Sequence, residues 1–180
     1  MKTLFSKTII LSFFLLLLGC SKDSPTTPTP CPQGYTGTNC STQITPSKIF
    51  ISKIRVDDFP NLNPSGNNWD IGSSADIFVR FGLGDGTSST ITLFTSNYYT
   101  DAISNGTNYY DFIPTTPIEL DLASSECALI LGDYDSASSY DFMGELVFYP
   151  YNSINGFPTT ISISNPSIPF KAELTLSYVW

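Results

Sequence analysis

The chain is 180 residues long, with 8 basic and 16 acidic residues, no histidine and a formal charge of −8. So acidic a surface repels nucleic acid and anionic lipid. The missing histidine takes away the usual general base, the usual partner of a nucleophilic serine or cysteine and the commonest transition-metal ligand, which argues against most hydrolase and zinc chemistry.

In chain order, residues 1–19 (MKTLFSKTIILSFFLLLLG) set Lys2 and Lys7 before an apolar run too short to span a bilayer, the pattern of a secretory leader. Its removal would leave six basic residues against sixteen acidic, 6 − 16 = −10. Leu17 to Cys20, LLGC, resembles a bacterial lipobox. The resemblance implies that Cys20 is acylated and becomes the new N-terminus, and two or more acyl chains anchor a protein firmly. It places the protein on a membrane of the bacterial cell envelope. By the same resemblance, Ser21, Lys22 and Asp23 after the cysteine imply export to an outer membrane and its surface.

Residues 20–30 follow as a tether. With Pro25, Pro28 and Pro30 among threonines and serines, they cannot bury a core. CPQGYTGTNC, Cys31 to Cys40, then resembles the terminal loop of an EGF-like module, with Gly34, Tyr35 and Gly37 in their places. The resemblance covers ten residues and implies a Cys31–Cys40 disulfide closing a stub over 31–43, in an oxidising compartment. Cys127, within CALIL, reads as a small buried hydrophobe.

Residues 44–180 have the length of one domain and carry no long apolar stripe at helical spacing. Short runs rich in Ile, Val, Phe, Tyr and Thr recur between Gly, Pro, Asn, Asp and Ser clusters. They predict strands over 48–57, 75–83, 89–95, 117–123, 127–134, 142–149, 159–164 and 171–179, an all-β, eight-stranded antiparallel sandwich. Ile77, Val79 and Phe81 share one face, as do Leu174, Leu176 and Tyr178. Ile49, Ile51, Ile54 and Val56 break strict alternation, which predicts a bulge near Ser52 and Lys53.

Two strands enclose GDYDSASSYDFMGE, Gly132 to Glu145. Asp133 and Asp135 open it as a calcium EF-hand loop opens, but the sixth position is Ser138 where glycine is needed and the twelfth is Gly144 in place of glutamate. The spacing of Asp133, Asp135 and Asp141, with FMGE after the last, instead resembles the C2 domains, calcium-dependent β-sandwiches. An earlier loop, WDIGSSADIFVRF, carries the second pair that family shows, Asp70 and Asp76. The resemblance implies that these five aspartates at one end of the sandwich ligate two calcium ions, taking the local charge from −5 to −1, with the Tyr134 carbonyl and the Ser138 hydroxyl as further oxygen donors. Hard calcium takes six to eight oxygens, and bridging carboxylates let two ions share one acidic cup.

The chain departs from the family at Ile77, where proline is usual, and in STITLFTSN, which lacks the basic residues of phosphoinositide-binding members. Attraction to anionic headgroups would then rest on calcium, with Trp69 and Ile71 as candidate inserting tips. Asn97 to Phe112 carries four tyrosines and belongs to a third loop near the same end, as half-buried strand residues or as a contact surface. These readings point to a lipid-anchored binding module, without catalytic residues, that takes up a lipid, protein or glycan partner in a calcium-dependent way. The alternative is a structural or adhesion domain in which calcium only stabilises loops. Glycoside hydrolysis by paired carboxylates ranks third.

Overall fold

Runs in which β-branched and aromatic residues alternate with polar ones settle as pleated strands with one face dry. The computed structural model of the chain describes residues 29–84, 91–121, 123–135 and 139–180. The leader, Cys20, the tether up to residue 28 and Ser138 lie outside the described residues. The chain divides into two compact units, Met1–Pro30 and Cys31–Trp180, and every described core residue belongs to the second.

The described residues of that unit form twelve strands: β1 (Tyr35–Thr36), β2 (Thr42–Gln43), β3 (Lys48–Asp58), β4 (Ala75–Leu83), β5 (Ile91–Thr95), β6 (Tyr99–Ala102), β7 (Tyr110–Phe112), β8 (Ile118–Leu120), β9 (Cys127–Asp135), β10 (Ser139–Phe148), β11 (Thr160–Asn165) and β12 (Phe170–Val179). One sheet runs β10-β9-β4-β5, with β6 also on β4; the other runs β11-β12-β3-β7, with β8 also on β3. All pairings are antiparallel. The sandwich thus has ten strands where the sequence pattern predicts eight, because one edge of each sheet is broken in two. β5 and β6 part at Ser96, whose hydroxyl accepts the Val79 N–H at 2.9 Å. Between β7 and β8 stand Pro114 and Pro117, which have no N–H to give a ladder.

The two inner faces meet in one core. Ile49, Ile51, Ile54, Val56, Ile77, Val79, Phe81, Leu129, Leu131 and Leu174 are wholly buried, and each such side chain stabilises the fold by about 1.5–3 kcal/mol. The predicted bulge is present: Lys53 pairs with Thr175 and Ile51 with Leu176, leaving Ser52 as the extra residue. A second bulge at Asp57 lies between the Val56–Ala172 and Asp58–Lys171 pairs.

A disulfide joins Cys31 to Cys40, and the stub it closes is seated on the sandwich. Gly34, at φ 84°, lies so close to Phe157 and Trp180 that a Cβ there would stand 2.2 Å from the Phe157 ring. Tyr35 meets Phe157 edge-on, the Ile44 N–H donates to the Gly34 carbonyl at 2.7 Å, and Gln43 donates to the Tyr151 hydroxyl. Cys127 is free and buried, its thiol pushed up to about 12 by burial. β3 starts beside the stub, with Lys48 opposite Val179, and ends with Asp58 opposite Lys171 at the other pole. The acidic loops gather at that second pole.

Candidate metal centre

The inward-facing row of β9 runs Cys127, Leu129, Leu131 and then Asp133 and Asp135, so the dry interior ends in two carboxylates. Asp133 is 0% exposed. Its Oδ1 accepts the Asp76 N–H at 2.6 Å, while its Oδ2 is buried with no hydrogen-bond partner among the described residues. Burial, reinforced by the negative charges of Asp70, Asp135 and Asp76, pushes the Asp133 carboxyl up to about 6 against the pull of that N–H.

Asp70 arrives from the long β3–β4 loop. The loop is pinned by Asn63, whose Oδ1 accepts the Ser65 and Asn67 N–H groups, and by the Trp69 indole N–H, which donates to the Pro60 carbonyl at 2.8 Å. Carboxylate oxygens of Asp70, Asp133 and Asp135 come within 4.8 Å of one another. The Asp70 carboxyl is raised, first by burial and then by Asp76, Asp135, Asp101 and Asp141. Of the five predicted acids, these three therefore converge, and two stand around them. Asp76 Oδ1 accepts the Asp101 N–H at 3.0 Å, and exposed Asp141 lies across the ladder from Asp133.

Asp101 is an acid that the sequence pattern did not single out. It sits at φ 52° in a bulge, since Ala75 pairs with Ala102 but Ile77 pairs with Tyr99. That kink turns the Asp101 N–H toward Asp76, and only the pairing of β6 with β4 brings it there. Tyr134, between Asp133 and Asp135, turns its ring away and stacks it on Tyr98 at 4.5 Å. Trp69 is half-buried against the core and does not project as a tip, because its N–H is spent on Pro60. Ile71 is fully exposed. The segment 97–112 forms β6 and β7, where Tyr99 and Tyr110 pack edge to face at 5.3 Å.

Oxygen-only donors around one point suit a hard divalent cation. Two ligands on opposite sides of a calcium ion, each about 2.3–2.6 Å away, stand about 4.6–5.2 Å apart, which accommodates the 4.8 Å span of the three aspartates. With no histidine in the chain, the set gives softer metals little hold.

No family model and no curated protein matches the chain. Among solved structures it is similar to human GIVD cytosolic phospholipase A2 in complex with methyl gamma-linolenyl fluorophosphonate, with a TM-score of 0.44 and 16% identity over 74% of this chain and 18% of that one. It is also similar to a C2 domain of plant Extended Synaptotagmin 1 (TM-score 0.40, 15% identity, 74% of this chain and 95% of that). A third is a C2 domain protein from Ramazzottius varieornatus (TM-score 0.43, 10% identity, 76% and 92%). The chain spans about a fifth of the phospholipase, and most of each C2 domain. At these identities the likeness concerns the course of the strands and no side chain of the site.

Proposed function

We propose that residues 44–180 form a C2-like module that binds calcium between its loops and uses it to engage a partner, carried on an envelope membrane through lipidated Cys20. The observation that carries the calcium reading is the Asp133 carboxylate, wholly buried beside Asp70 and Asp135, with one oxygen lacking any partner among the described residues. A buried charge in that state is costly unless a cation completes it. The anchor and the outer-membrane position rest on the lipobox resemblance of Leu17 to Cys20. Asp76, Asp141, the Tyr134 carbonyl and the Ser138 hydroxyl complete the donor set of the resemblance, and a second ion would take those on the rim.

Calorimetric titration of Cys31–Trp180, which holds the whole described core, should show calcium binding in the wild type and none in Asp70→Asn/Asp135→Asn. Extracellular calcium modules bind at about 10⁻⁴–10⁻³ M, which sets the concentrations. A wild type without calcium heat ends the reading. Liposome sedimentation with and without calcium then separates its two forms: pelleting with anionic vesicles supports a lipid partner, and its absence in every mixture leaves calcium as a loop-stabilising ion with a protein or glycan partner.

A further inference from the structure

We propose that the chain self-associates through the free edge of β11, two copies pairing their β11 strands antiparallel about a two-fold axis. Among the described residues, β11 closes its sheet and is paired only with β12. Edge strands of monomeric proteins are guarded by lysine, proline, bulges or inward-pointing charge. β11 reads TISISN and has none of these, and its register with β12 runs unbroken from Thr160 to Asn165. Thr160, Ser162 and Ser164 face solvent, while Ile161 and Ile163 lean on the core.

Charge identifies the occupant. From Leu146 to Phe170 there is no Asp, Glu, Lys or Arg, in a chain whose acids outnumber its bases sixteen to eight. Two copies of so acidic a chain repel over most of their surfaces, and this arc is where two backbones meet at least Coulombic cost. A cationic partner would instead be drawn to the acidic pole. The apolar surface a second copy would cover lies alongside, at the mouth of a groove of about 820 Å³ between β10 and β11 whose lining includes Leu62, Phe142 and the half-buried Ile168, with Glu145 its charged member. Leu62 and Phe142 in that lining are 50% and 57% exposed. The pairing is isologous, so it closes at two copies and uses up both edges.

Sedimentation equilibrium of Cys31–Trp180 in chelator tests this without reference to the metal, so failure of the calcium reading leaves the result untouched. Twice the chain mass is expected for the wild type. Ser162→Glu/Ser164→Glu puts like charges across the two-fold and should weaken the dimer by about tenfold or more, measured at a temperature at which circular dichroism shows the variant still folded. Ser177→Glu, exposed on the inner strand β12, adds charge away from the edge and should leave the dimer intact. A wild type that stays monomeric at millimolar concentration overturns the proposal. So does a dimer that the double variant leaves as strong as before, or one that Ser177→Glu dissolves.

Discussion

Asp133→Asn should stabilise the metal-free protein while it abolishes calcium binding. Ionised Asp133 is buried with one oxygen unpaired among the described residues, and its carboxyl is raised from 3.8 to about 6. A shift of that size means the charged folded state is penalised by up to about 3 kcal/mol relative to the unfolded chain. The folded protein keeps its proton until about pH 6, whereas the unfolded chain releases it near pH 4, so metal-free stability falls as pH rises between the two and is level above. Asparagine keeps the acceptor for the Asp76 N–H and turns the orphan oxygen into a donor facing Asp70 and Asp135. In chelator at pH 7.5 the variant should melt higher by up to about 6–12 °C, at about 2–4 °C per kcal/mol for a chain of this size. At pH 4.5 the gain should shrink to about a third, because the wild-type carboxyl is then protonated in the fold. Saturating calcium should raise the wild type and leave the variant where it was. Thermal melts of both proteins by circular dichroism under these three conditions decide the matter. A variant that melts below the wild type in chelator at pH 7.5 would show that the carboxylate is built as a structural acceptor, and the argument from its unpaired oxygen would fail.

Two further changes probe the scaffold around the site. Gly132→Ala would place a Cβ 2.5 Å from the Phe78 ring and 2.8 Å from Tyr140 on the outer face of β9, and should cost about 1–3 kcal/mol, read as a lowered denaturation midpoint. Asp111, held below the usual carboxylate range first by the Arg55 guanidinium at 2.8 Å, contributes stability that is present above the unfolded value and lost as pH falls through the lowered one. Asp111→Asn should therefore lose about 1 kcal/mol or less at pH 7 and nothing in strong acid, and a deficit independent of pH would contradict the ion-pair account.

The long strands were legible because their core faces are written in large apolar residues. Ala75–Leu83 has the bounds its alternation predicts, and the broken period of β3 located the Ser52 bulge. β6 and β7 escaped notice because they are four and three residues long and their stabilisation comes from pairing with β4 and β3 at a distance in the chain. Asp101 escaped for the same reason: nothing near it in sequence distinguishes it, and its place beside Asp76 depends on a bulge in a strand that pairing creates. Conversely, the spacing of Asp133 and Asp135 carried real information, since alternation along a strand puts two residues on one face and both carboxylates at the end of one buried row. Which way Trp69 turns is not written in composition, which cannot reveal that Pro60 receives its N–H.

The course of β3 has a mechanical consequence. It runs from the disulfide-closed stub to the acidic pole in one extended span of eleven residues, so whatever precedes Cys31 is tied to the far end by a strand with little slack. Tension applied between the two poles is carried by covalent backbone already near full length, in parallel with the ladder to β12 sheared along its whole extent. A cation shared by Asp70 and Asp133 would join that line to β9 and divide the load between the two sheets. Single-molecule pulling between residue 31 and the β3–β4 loop should then yield at higher force with calcium than in chelator.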